Sequence, residues 1–210
     1  VADHYEEEAQ AEQLKRWWNE NWKSLAAGLV LGLAVIVGWE GYKRYQLQQA
    51  DQASQLYDDL KAALAAHKND AAVALGDKLV KEFQRTPYAV SAAFYLAQIS
   101  VDQNKLDDAV TRLQWVTTQS KDEGLRDLAK LRLAKVLWQQ KKTDDALKLL
   151  DGEHGGYNAL FAELRGDIKL SQNDRAAART AYEQALTQSE GPNRELIQRK
   201  LDDLADAVKS

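Results

Sequence analysis

Two hydrophobic patterns divide the chain. Leu25 to Trp39 is a run of fifteen residues with neither a charge nor a strongly polar side chain. After Tyr45, apolar residues recur at three- and four-residue spacing in short stretches separated by the polar tips HKND, QRTP, DQNK, SKDEG, QKKT, GEHGG, SQND and SEGPN. This second pattern predicts a series of short amphipathic helices, each with one face to bury. Alanine and leucine dominate the apolar residues and only two prolines occur, so the fold class is all-α.

A fifteen-residue core falls between the lengths of a buried helix and of a membrane span, and its flanks decide. Counted from Trp22 to Tyr42, the helix reaches about 30 Å at 1.5 Å per residue. Trp17, Trp18 and Trp22 precede the run; Trp39, Tyr42 and Tyr45 close it; Lys23 stands at one end and Lys43 and Arg44 at the other. Amphipathic rings and long cations at both ends are what the two interfaces of a lipid bilayer favour. The pattern predicts an acidic tail at residues 1–23, a transmembrane helix at 24–45 and a soluble part at 46–210. A cleaved signal peptide needs a basic start and a small-x-small site, whereas this run follows an acidic segment and leads into WEGYKRYQLQQ. Lys15, Arg16 and Lys23 on one side outweigh Lys43 and Arg44 on the other, three against two, which orients the N-terminus toward the cytoplasm by a narrow margin.

Ser24, Gly28 and Gly32 recur every fourth residue and line one face of the span with small groups, where a second helix could approach closely. Glycine is also common in spans without such a role, and both readings stand. Glu40, next to Trp39, is expected to reach headgroups or water rather than a partner charge. Ala11, Leu14, Trp18 and Trp22 fall at helical spacing. Residues 5–23 therefore read either as an amphipathic segment at the membrane surface or as a solvated start, held from anionic lipid by Glu6, Glu7 and Glu8. No glycine or proline falls between Tyr45 and Gly76, which predicts that the spanning helix runs on toward HKND.

The soluble part repeats. FYLAQISVDQNKLDDAVTRLQWV, LRLAKVLWQQKKTDDALKLLD and LRGDIKLSQNDRAAARTAYEQAL align so that Ala97, Ala134 and Gly166 are each followed twelve residues later by Ala109, Ala146 and Ala178. Four residues on stand Leu113, Leu150 and Tyr182. Small residues where the two helices of a hairpin touch, with larger ones filling the groove to the next hairpin, form a tetratricopeptide pattern. The intervals of 37 and 32 residues bracket its usual ~34. Residues 53–84 make an atypical first pair, with Leu56, Leu60 and Leu64 facing Leu75, Leu79 and Phe83. Residues 193–208 make a closing helix through Leu196, Ile197, Leu201, Leu204 and Val208, as an array with open ends requires.

The 28 basic and 32 acidic residues leave a formal charge of -4, without the positive field that a nucleic-acid partner needs. Six of the acids precede Ser24 against three bases, while residues 41–210 are balanced. Absence of cysteine excludes disulfides, thiolate metal sites and cysteine nucleophiles. His4, His67 and His154 lie far apart and read as solvated residues rather than ligands. The repeated DDA at 107–109 and 144–146 falls in the first turn of a second helix, where the helix dipole favours acids, and not at a catalytic pair. Gly155 and Gly156 read as a turn, and no hydrolase, metalloprotease or phosphate-loop motif occurs. The expectation is a protein that is not an enzyme and takes no metal or cofactor.

First helices of the pairs should line a concave face exposing Phe94, Gln98, Val101 and Asp102, then Leu131, Lys135, Trp138 and Gln139, then Glu163, Asp167, Leu170 and Ser171. Trp138 beside Lys135 reads either as an anchor for a partner segment or as packing against the next repeat.

The order of segments carries a resemblance. LKRWWNENWKS leading into a glycine-rich span and GWEGYKRY, followed by LRLAKVLWQQKKTDDALKLLD and LRGDIKLSQNDRAAARTAYEQAL, resembles the YfgM family, the ancillary subunit of the bacterial SecYEG translocon. The resemblance implies a single-pass inner-membrane protein with a cytoplasmic N-terminus and periplasmic tetratricopeptide-like repeats. It further implies association with the Sec channel and with a membrane-anchored periplasmic chaperone of the prolyl-isomerase-like type, assisting secretory proteins as they emerge. It brings no catalytic or residue-level binding motif. The rival expectation is a membrane-anchored repeat protein that regulates envelope assembly or stress signalling away from the translocon.

Overall fold

The computed structural model describes the backbone of residues 2–206 and the side chains of Glu12 and of Leu14 to Leu204. His4, Glu6 to Glu8 and Ala11 of the N-terminal segment, and Val208 of the closing helix, fall outside the described side chains. The chain divides into two compact units, Val1–Asp51 and Gln52–Ser210.

The first unit is helix. α1 runs unbroken over Ala2–Ala65, and none of its most apolar window is buried in the protein. Leu25, Leu29, Val30, Leu31, Leu33, Val35, Ile36 and Val37 are all exposed. Burying such side chains is worth about 1.5–3 kcal/mol each, so leaving eight of them in water forfeits on the order of 10 kcal/mol, as much as the whole net stability of a domain. An apolar solvent removes that cost, and the helix is long and apolar enough to cross a membrane.

In the second unit the end of α1 is followed by α2 (Asn69–Glu82), α3 (Pro87–Asp102), α4 (Leu106–Gln119), α5 (Glu123–Gln139), α6 (Thr143–Leu149), a 3-10 turn (Gly155–Tyr157), α7 (Asn158–Ser171), α8 (Arg175–Thr187) and α9 (Gly191–Asp206). Helices pack chiefly on their neighbours in sequence, so the array is a stack of hairpins closed by α9. Local chemistry sets several starts: Thr86 caps α3 ahead of Pro87, and Asp122 and Asp174 accept from the amides of Leu125 and Ala177 at 2.8 and 3.1 Å. Asp107, Asp108, Asp144 and Asp145 lie in the first turns of α4 and α6, as the repeat alignment predicts.

One turn geometry recurs four times. His67, Asn104, Lys141 and Asn173 have φ of 55°, 58°, 65° and 62°, and each ends the first helix of a hairpin. In each turn the left-handed residue's amide reaches back three residues and the next amide reaches back five, as in Asn104 to Val101 and Lys105 to Ser100. This is a Schellman closure, which satisfies the last carbonyls of the helix. Residues 53–84, atypical by side chain, are therefore a full member of the series by backbone.

Between the hairpin helices the small positions do their work. Ala97, Ala109, Ala134, Ala146 and Ala178 are all buried, as are Leu113, Leu150 and Tyr182. The third of these pairs shows why size is matched: where Tyr182 replaces leucine, the facing residue is Gly166, and a Cβ there would overlap the tyrosine ring. Gly166→Ala would add helix propensity worth about 1 kcal/mol but collide with a buried ring. The expected net result is a loss of about 1–3 kcal/mol, read as a melting temperature several degrees lower in thermal unfolding of the full chain in detergent.

Candidate binding groove and membrane anchor

Along α1 the residues expected at the two membrane interfaces lie on the surface of the helix. Trp17, Trp18, Trp22, Trp39 and Tyr42 are exposed, as are Lys23, Lys43 and Arg44. Helical rise separates Trp22 from Trp39 by about 25 Å, close to the thickness of a hydrocarbon core. Trp39 and Tyr42 pair as tilted rings 6.4 Å apart, and Tyr42 accepts from Gln46 Nε2 at 2.7 Å. Glu40 departs from expectation: it meets Arg44 at 3.4 Å, because four residues bring the two onto one helical face. Around Gly28 and Gly32 an added Cβ would meet nothing within 4 Å, and Ser24 is exposed on the same face.

The concave-face residues separate into three groups. On α3, Gln98 donates to Asp102 at 2.8 Å, both exposed, while Phe94 and Val101 are half-buried and the Arg132 guanidinium lies 4.8 Å from the Phe94 ring. On α5, Lys135 and Gln139 are exposed but Leu131 is not. Leu131 is 4% exposed because it turns into the core formed with Ala97, Leu113 and Phe161, which corrects its placement on the open face. Trp138 packs half-buried against that core and also lines an open cavity of about 650 Å³. The cavity gathers Lys135, Trp138 and Gln139 of α5 with Asp167 and Ser171 of α7, and adds Lys141, Thr143, Leu164 and Gln172.

On α7, Glu163 and Asp167 are held from the other side. Lys200 of α9 places Nζ 2.7 Å from Glu163 Oε1 and 2.7 Å from Asp167 Oδ1, and Tyr182 donates its hydroxyl to Asp167 at 2.7 Å. Burial pushes the Lys200 ammonium down, but the two carboxylates outweigh it and hold its pKa above the usual lysine value. Burial, and then the hydrogen bond and negative charge of Asp167, raise the Tyr182 phenol. The sequence signal for this cluster is a lysine interrupting the apolar stripe Ile197, Leu201 and Leu204.

Two further clusters were not singled out from sequence. Tyr57 lies 5.4 Å from Tyr88 and 6.3 Å from Tyr95, ring to ring, with Lys61 Nζ 5.3 Å from its centre. Burial first, and Tyr95 second, raise the Tyr57 phenol. His154, expected in solvent, is buried, since the positive φ of Gly152 and Gly155 folds the loop back and stacks the imidazole on Phe161 at 3.6 Å. Its Nε2 stands 3.1 Å from the Asp151 carbonyl and its Nδ1 3.5 Å from Asp127 Oδ1. Among the described residues no three histidine, aspartate or glutamate side chains gather as a metal site requires.

An exposed apolar helix followed by four hairpins with an open face defines a membrane-anchored helical-repeat protein. The profile of the tetratricopeptide repeat-like domain family matches residues 15–206. The ancillary SecYEG translocon subunit of Escherichia coli (strain K12) is 37% identical over 201 residues, covering 95% of this chain and 97% of the relative. The proteins of the same name from Haemophilus influenzae and Neisseria gonorrhoeae are each 33% identical, over 97% of this chain and the whole of theirs. The chain belongs to the family of ancillary SecYEG translocon subunits.

The Asp127 cluster sets a pH dependence. Burial pushes the carboxyl up, but Lys130 at 2.8 Å and His154 together hold it below its ordinary range. A depressed pKa contributes stability that is present above the unfolded-state value of about 3.9 and is lost as pH falls through the folded-state value. Asp127→Asn is expected to cost roughly 1–3 kcal/mol at neutral pH, and to flatten the acid side of the stability profile in denaturant titrations between neutral pH and pH 3.

Proposed function

We propose that the chain is a non-enzymatic adaptor beside the SecYEG channel of the bacterial inner membrane, holding a repeat domain where secretory proteins reach the periplasm. One observation carries this reading: the match to the ancillary translocon subunits takes in the apolar helix as well as the repeats, where a repeat pattern alone would fit many unrelated adaptors. Residues 1–23 form a cytoplasmic interfacial segment, 24–45 the span and 46–210 the periplasmic repeats. Trp17, Trp18, Trp22, Lys23, Trp39, Tyr42, Lys43 and Arg44 hold the span at its two interfaces, and the face of Ser24, Gly28 and Gly32 meets a helix of the channel or of a partner.

The open groove, with Phe94, Gln98, Val101 and Asp102 on α3 and Lys135, Trp138 and Gln139 on α5, engages a membrane-anchored periplasmic chaperone of the prolyl-isomerase-like type or an emerging segment. Confinement to one membrane brings effective concentrations to the order of millimolar, so weak individual contacts suffice.

Two measurements check the proposal. Because the chain has no cysteine, Gln10→Cys and Glu153→Cys can be labelled in intact cells with an impermeant maleimide. Labelling of the second but not the first is expected; the reverse pattern overturns the orientation. After mild solubilisation the Sec channel is expected to copurify, and Trp138→Ala to reduce recovery of the chaperone several-fold while the channel is retained. Loss of Sec components while another envelope complex persists would instead support a regulator of envelope assembly or stress signalling.

A further inference from the structure

The charge of the α5–α7 cavity identifies what it can hold. Its charged lining residues are Lys135, Lys141 and Asp167. Asp167 is already engaged, since Lys200 binds both its oxygens at 2.7 and 3.0 Å and the Tyr182 hydroxyl donates to it as well. Glu163, the neighbouring acid on α7, is bound to the same lysine. Lys135 is exposed, and among the described residues neither it nor Lys141 has an ion-pair partner; the adjacent Lys142 pairs weakly with Asp107 at 3.9 Å. One lysine shared by two carboxylates leaves a negative charge on that cluster, and the unpaired Lys135 and Lys141 outweigh it, so the cavity is net positive beside an indole and Leu164 although the chain as a whole is acidic.

Lys141 is also the turn residue with φ of 65°, a conformation for which the sister turns use histidine or asparagine, and that geometry fixes its backbone at the cavity rim.

We infer that this cavity receives an acidic, extended segment of a partner protein, with carboxylates between Lys135 and Lys141 and an apolar side chain against Trp138 and Leu164. The inference rests on the groove reading given above and adds the chemistry of the occupant. A second copy's own acidic start, Asp3 and Glu6 to Glu8, is excluded as the occupant, because a single span keeps residues before and after it on opposite sides of the membrane. Lys200 acts as a charge guard: by binding Asp167 and Glu163 from behind, it offsets one of their two negative charges and leaves the cavity net positive. Paired opposite charges steer association and select partners, so the interaction should be strongly salt-dependent.

The test uses the full chain in detergent micelles and fluorescence anisotropy of a fluorescein-labelled twelve-residue peptide of glutamates around a central Leu-Phe pair. Two control peptides accompany it, one with every glutamate replaced by glutamine and one with the Leu-Phe pair replaced by glutamates. The acidic apolar peptide is expected to bind at least tenfold more tightly than either control. Lys135→Gln combined with Lys141→Gln should weaken it by tenfold or more, with an unchanged helical circular-dichroism spectrum. Lys200→Gln, which releases Asp167 into the cavity, should weaken it several-fold, provided α9 stays folded by the same spectrum.

Equal binding of the glutamine peptide, equal binding of the all-glutamate peptide, no binding of any peptide, or no effect of the double substitution at positions 135 and 141 overturns the inference. If the peptide fails while Trp138→Ala still releases the chaperone, the groove reading stands and the acidic occupant falls. If the peptide binds as expected and chaperone recovery ignores Trp138, the occupant's chemistry stands and the chaperone assignment falls.

Discussion

Close approach of two helices inside each hairpin is the constraint from which the array follows. A helix pair can bury its facing stripes only if side chains at the crossing are small, and the alanines of α3–α6, with Gly166 and Ala178 of α7–α8, supply that. Once the pair is closed, its remaining apolar surface faces the next pair, and stacking becomes the way to cover it. The stack leaves one face without a further layer, and that face holds Lys135, Trp138 and Gln139. The candidate groove is thus a remainder of packing, furnished with chemistry by residues that the core does not need.

Much of this was legible in the sequence, because packing writes itself as periodicity. The alanine spacing located three hairpins, and the polar tips marked the turns between helices. The first hairpin was harder to read, since its signature lies in backbone conformation and four different settings of that turn use three residue types. Leu131 shows the limit of repeat arithmetic: it stands 37 residues after Phe94, yet lies in the core, because which way a side chain at a helix edge turns depends on the bulk of its neighbours. His154 shows another limit, as two glycines in a loop direct it inward and no spacing rule foresees where a loop folds back.

Electrostatics links the end of the array to its middle. Capping an open repeat stack needs an apolar stripe, and Ile197 and Leu204 of α9 provide it. Lys200 lies within the same stripe and reaches Glu163 and Asp167 instead of solvent. A charge so placed needs partners to offset its desolvation, which the two carboxylates provide. Lys200 in turn offsets one of the two negative charges beside the cavity, so the cap shapes the groove without entering it.

The shortness of α6 has a mechanical consequence. It has seven residues and buries only Ala146 along its length, whereas α4 has fourteen and buries Ala109, Leu113 and Val116. In a linear array, cooperativity passes through nearest-neighbour interfaces, and a thin element transmits less of it. The third hairpin therefore leans on its first helix, since α5 buries Leu131, Leu133, Ala134, Val136 and Leu137 where α6 buries one residue. α6 thus has little burial to lose, and Lys141 and Thr143 at its start line the cavity, so the wall of the cavity beside α6 is the one that shifts at least cost.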